Sequence, residues 1–149
     1  MSADVPEALE IEHEHLRGEL QKALAAGGRT GLAAERVLKV VRPHVLLEEE
    51  FALPPLTLLP RLARGEVTPD MRRYMTLAET LKAELPRMLD EHGLIVEALK
   101  GLMQAAQDEG YAGFADLARK MILHAQTEEE ILYPASILVG QYLRSRFGK

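Results

Sequence analysis

The chain has 149 residues, of which 47% are hydrophobic, 28% charged and only 5% aromatic, with a formal net charge of −5. Those values suit a single soluble all-α domain spanning residues 1–149, and lysines and arginines scattered among acids speak against a nucleic-acid phosphate backbone as partner. The absence of cysteine excludes disulfides, iron–sulfur ligation, thiolate zinc sites and thiol nucleophiles, so any metal must be held by nitrogen and oxygen.

The opening "MSADVPEALEIEHEH" is acidic and has neither the basic nor the apolar region of a signal peptide, and no apolar run approaches the ~20 residues that span a bilayer. A cytoplasmic protein that stays out of the membrane is expected. The first helix is predicted over about 5 to 26, ended by Gly27 and Gly28. Two histidines lie within it, and positions two apart point about 200° from each other. His13 has leucines on both sides of its face, whereas His15 shares a mostly polar face with Gly18, Glu19 and Lys22, so His13 is the inward residue.

A second helix is predicted over about 31 to 52, with Pro43 expected to kink or interrupt it. Pro54, Pro55, Pro60 and Gly65 then break the chain, leaving room for an extra short helix. Thr68 and Pro69 mark the start of a long segment to about 108, where Pro86 is a second expected interruption. After the break "QDEGYAGF" comes a helix over about 112 to 133, and another follows Pro134. Its apolar residues Ile137, Leu138, Val139, Tyr142 and Leu143 suit packing on the bundle or on a second chain. Amphipathic helices with short connections suggest an up-down four-helix bundle with these extra segments.

The chain repeats itself. "HVLLEEEFALP" begins at His44 and "HAQTEEEILYP" at His124. His13 precedes His44 by 31 residues, His92 precedes His124 by 32, and both leading histidines follow a glutamate, Glu12 or Glu91. Leu9, Leu16, Leu20 and Leu24 stand at the same offsets from His13 as Met88, Ile95, Leu99 and Met103 from His92. The inward stripes of the other two helices are Val37, Val40, Val41, His44, Glu48 and Phe51, and Leu117, Met121, His124, Glu128 and Ile131. His and Glu four apart lie one turn apart on one face, so each hairpin sends two histidines and one carboxylate inward.

Two opposed buried carboxylates need positive charge between them, and two metal ions would supply it. Four imidazoles with two carboxylates suit iron or manganese better than magnesium or calcium. Two histidines per ion, two bridging glutamates and an oxo or hydroxo bridge leave a position open on each ion for dioxygen, peroxide or nitric oxide. Glu49, Glu50, Glu129 and Glu130 read as surface residues or supports of the ligands. The four tyrosines, Tyr74, Tyr111, Tyr133 and Tyr142, read as helix-packing residues, since nothing in the sequence places one at the metals.

The residues "EHEHLRGEL", "HVLLEEEFALP", "EHGLIVEAL" and "HAQTEEEILYP" resemble the hemerythrin family, in particular its HHE cation-binding branch, over about residues 8 to 135. The resemblance implies a non-haem di-iron centre held by His13, His44, Glu48, His92, His124 and Glu128. Two departures stand out: Met88 lies where the family's oxygen carriers place a further histidine, and Glu129 occupies the position of their aspartate ligand, which makes it an alternative ligand to Glu128, the residue that repeats Glu48. The resemblance therefore implies binding or sensing of dioxygen, nitric oxide or peroxide, with a peroxide- or nitric-oxide-detoxifying enzyme and an iron donor or repair protein as the other readings.

Overall fold

A computed structural model describes residues 4–148, and among them the chain is helical throughout, with no strand. The helices are α1 (Glu7–Ala25), α2 (Gly28–Leu47), the short α3 (Leu59–Ala63), α4 (Arg72–Asp108), α5 (Ala112–Thr127) and α6 (Tyr133–Phe147). No helix among the described residues is long and apolar enough to cross a membrane. Helix α1 packs on α2 and α5, while α4 packs on α2, α5 and α6. The four long helices thus touch in a closed ring, and α6 extends the packing along the first half of α4.

Both prolines inside helices are carried without interruption. Pro43 and Pro86 are exposed, so water takes the carbonyl that the missing N–H leaves unpaired one turn back. The α1–α2 turn is as tight as expected, with Gly27 and Gly28 at φ 71° and 61°, a region that side chains resist. Helix α2 begins at Gly28, earlier than the sequence suggests, because a distant group caps it. Glu109 accepts hydrogen bonds from the Thr30 N–H at 2.8 Å, the Thr30 hydroxyl at 2.6 Å and the Arg29 N–H at 3.3 Å. A carboxylate is favoured at such a helix start, and this one pins the end of α4 to the beginning of α2.

Helix α4 is the axis of the molecule and carries three apolar groups along its length. Tyr74 and Met75 pack with Leu58, Val139 and Leu143; Leu81 and Met88 pack with Phe51, Ala52 and Tyr133; Ile95, Leu99 and Leu102 pack with Leu20, Val37, Leu117 and Met121. His92 falls between the second and third groups. The polar site is therefore a layer with apolar packing on either side.

Candidate metal centre

Both "EEE" stretches leave the α-helical path. Glu48–Ala52 and Glu128–Leu132 are single π turns, in which Leu53 N–H donates to the Glu48 carbonyl at 2.9 Å and Tyr133 N–H donates to the Glu128 carbonyl. Such turns cluster at functional sites. Here each follows directly on a His and a Glu spaced at i and i+4, so the donor pair keeps α-helical spacing while the residues after it are turned by an extra position. One expectation fails for this reason: Ile131, placed on the inward stripe by 3.6-residue periodicity, is 59% exposed.

All six residues expected at the site meet in it. His44, Glu48, His92 and Glu128 bring ligand atoms within 4.8 Å of one another, and so do His13, His124 and Glu128. The imidazoles pair across the repeat, His44 with His92 and His13 with His124, with ring centroids 4.6 and 5.1 Å apart. Glu128 straddles the two pairs: Oε1 lies 3.1 Å from His92 Nε2, and Oε2 lies 3.1 Å from His124 Nε2 and 3.6 Å from His13 Nε2. Glu48 does the same more loosely, with Oε2 at 3.5 Å from His44 Nε2 and Oε1 at 4.0 Å from His13 Nε2. His15 is exposed and takes no part.

Three of the four rings are oriented from behind. Nδ1 of His44 donates to Glu91 at 2.7 Å, Nδ1 of His92 to Glu129 at 2.8 Å, and Nδ1 of His124 contacts Glu12 at 2.8 Å. An ionised carboxylate only accepts, so the bonds to His44 and His92 place a proton on Nδ1 and leave Nε2 facing inward. There Nε2 donates to the buried carboxylates while the ring is protonated and offers its lone pair once it is not, as in metal-binding histidines. The two glutamates that precede histidines in the sequence thus serve the histidine of a different helix: Glu91 beside His92 orients His44, and Glu12 beside His13 orients His124. The repeated Glu-His dipeptide was the available signal. Glu129 acts from behind His92 while Glu128 faces inward.

The electrostatics are those of crowded like charges. Glu48 and Glu128 are 2% and 3% exposed, and among the described residues no lysine or arginine bonds to either. Burial and the charge of Glu128 push the Glu48 carboxyl up to about 6. In Glu128 the same burial is outweighed by hydrogen bonds from His124, His13 and His92, which hold its carboxyl well below the usual range. Burial would lower His44, but the bond and charge of Glu48 dominate and raise it to about 8. His13, His92 and His124 are likewise raised against burial, chiefly by Glu128. The histidines are acting as the missing cations. A donor set of inward nitrogens and buried carboxylate oxygens with no fixed positive partner fits a metal ion, and buried His44, Glu48, His92 and Glu128 can hold one.

Tyr133 corrects the reading of the tyrosines as packing residues. It is fully buried and its hydroxyl donates to Glu48 Oε2 at 2.6 Å, while lying 3.1 Å from both His44 Nε2 and His92 Nε2. On a continuous α-helix, five residues beyond Glu128 would be about 140° away from it; the π turn brings Tyr133 back over the site. A cavity of about 750 Å³ reaches the layer past α1 and α2, its walls including His13, Leu16, Val41, His124 and Glu128. No family model, no curated protein and no solved structure matches this chain.

Proposed function

We propose that this chain is a hemerythrin-like up-down four-helix bundle holding a non-haem di-iron centre that binds or senses a small molecule, dioxygen, nitric oxide or peroxide. One observation carries the reading: two imidazole pairs face two buried carboxylates, and each carboxylate offers one oxygen to either pair. His44 and His92 would hold one ion, His13 and His124 the other, and Glu48 and Glu128 would be shared. Nitrogen-rich ligation with carboxylates favours iron over magnesium or calcium. Such a pair supplies, when bound, Lewis acidity and one-electron redox chemistry at an open position.

The chain's own contribution is to hold and exclude. Glu91 and Glu129 fix the tautomers of His44 and His92, and Glu12 lies against His124 Nδ1. The apolar groups pack on either side of the layer, and the cavity gives a small molecule a route to both imidazole pairs. The test is metal content and the electronic spectrum of protein prepared without a metal-affinity tag. About two irons per chain, following from two imidazole pairs, with near-ultraviolet ferric absorption that changes on reduction and returns on exposure to the gas, is the expected result. Glu48→Ala and Glu128→Ala should both lose the iron. A wild-type protein that takes up no metal even on anaerobic addition of ferrous iron would end the proposal.

A further inference from the structure

The internal repeat breaks at one buried position inside the site. Nine residues after His44 the chain has Leu53; nine after His124 it has Tyr133. Both are fully buried and both N–H groups close a π turn on a glutamate carbonyl. The backbones are therefore equivalent, but only one half of the repeat delivers an oxygen. That oxygen goes to one imidazole pair, 3.1 Å from His44 Nε2, 3.1 Å from His92 Nε2 and 2.6 Å from Glu48 Oε2.

A buried tyrosine needs only one acceptor to satisfy its hydroxyl, and Glu48 suffices. Hydrogen bonding alone does not call for a position equidistant from two imidazole nitrogens. Donors bound to one ion at about 2.1 Å and right angles are about 3 Å apart, which matches both distances from the Tyr133 oxygen. Resting on the di-iron reading above, we propose that Tyr133 is itself a metal donor: its oxygen binds, as phenolate, the ion held by His44 and His92. The phenol proton, which the hydroxyl now donates to Glu48 Oε2, is released to solvent as the metal takes its place, as for other ligands that must deprotonate to bind.

The two metal positions are then chemically unequal. The His44–His92 position has five protein donors, His44, His92, Glu48, Glu128 and Tyr133, whereas the other has only His13, His124 and its shares of Glu48 and Glu128. Tyr133 does not border the cavity, while all four imidazoles and both buried glutamates do. The tyrosine fills a place on the His44–His92 ion on the side away from the cavity, and the His13–His124 ion, with one protein donor fewer, keeps the exchangeable place.

The test uses the full chain loaded with iron and oxidised. The wild type should show a visible phenolate-to-iron charge-transfer band, and resonance Raman excitation in that band should show tyrosine ring modes that shift when the protein is grown on ring-deuterated tyrosine. Tyr133→Phe should lose the band while keeping two irons per chain and the near-ultraviolet absorption. Tyr74→Phe, Tyr111→Phe and Tyr142→Phe combined, which leaves Tyr133 as the sole tyrosine, should keep it, so the assignment stands even if Tyr133→Phe fails to fold. Iron bound without a phenolate band, or with one that survives Tyr133→Phe, overturns the tyrosine ligand and leaves the di-iron site intact. A wild type that binds no iron removes both.

Discussion

The carboxylates behind the imidazoles do as much to define the centre as the donors themselves. Removing such a partner commonly weakens metal binding about 10- to 100-fold, so Glu91→Ala and Glu12→Ala should lose iron to a competing chelator at correspondingly lower concentrations. Glu50→Ala, on the exposed side of the same acidic run, should not. The protonation pattern gives a second outcome. In metal-free protein His44 is raised from 6.5 to about 8, so its contribution is complete below about pH 6.5 and is lost as pH rises through about 8. That amounts to about 2 kcal/mol at 1.36 kcal/mol per unit. Glu48, raised to about 6, works in the same direction at lower pH: above that value the folded chain must hold a buried charge that the unfolded chain holds in water. Urea unfolding of metal-free protein should show falling stability from pH 6 to 9 and a shallower fall in His44→Ala; a flat profile would contradict the assigned proton on His44. Iron affinity should move the opposite way, rising over the same interval as protons stop competing for the imidazoles. The six inward donors could be read in advance because His and Glu four apart on an apolar stripe leave little choice of direction. Tyr133 could not, since its direction depends on a π turn for which residue spacing carries no mark.

At the level of the helices, local rules placed the elements well and misjudged what distant groups do to their ends. Gly27 and Gly28 did mark the first turn, and short segments do precede α4 and follow Pro134. The start of α2 was missed because its cap, Glu109, lies 79 residues from Thr30; no local window contains both. Pro43 and Pro86 were expected to kink or interrupt their helices, and neither interrupts, since both face water. Glu109→Ala should cost about 1 kcal/mol in chemical unfolding, the usual worth of a lost cap, without altering the iron content. Helix α6 offers a sharper comparison. A side chain added at Gly140 would collide with the Cβ of Ala78 on α4, while one at Gly101 meets nothing. Gly140→Ala should therefore destabilise by about 1–3 kcal/mol, as overpacking does. Gly101→Ala should stabilise by about 0.5–1 kcal/mol through helix propensity alone. If both substitutions had the same sign in the melting temperature, the close approach of α6 to α4 would be wrong.

Across the whole molecule the apolar groups on α4 lie on either side of the polar layer, with Tyr133 belonging to both. Metal-free protein should therefore keep most of its helical circular dichroism, held by Leu20, Leu99, Leu102 and their neighbours, while melting lower. Ferrous iron at 100 times its dissociation constant adds about 2.7 kcal/mol, which for a chain of this size raises the melting temperature by roughly 5–10 °C. An unchanged melting temperature on metal addition would mean that the layer holds no ion. The residues of the polar layer are also dispersed along the chain, from His13 in α1 to Glu128 after α5 and Tyr133 at the start of α6. The hairpins α1–α2 and α4–α5 are local and can form early, since nearby contacts close fastest, but each imidazole pair takes one ring from either hairpin. While the polypeptide is being synthesised, no stretch that has left the ribosome before residue 133 contains the complete set. On the di-iron proposal, loading would wait until synthesis and docking are finished, so an unfinished chain would not present a complete centre to the cell.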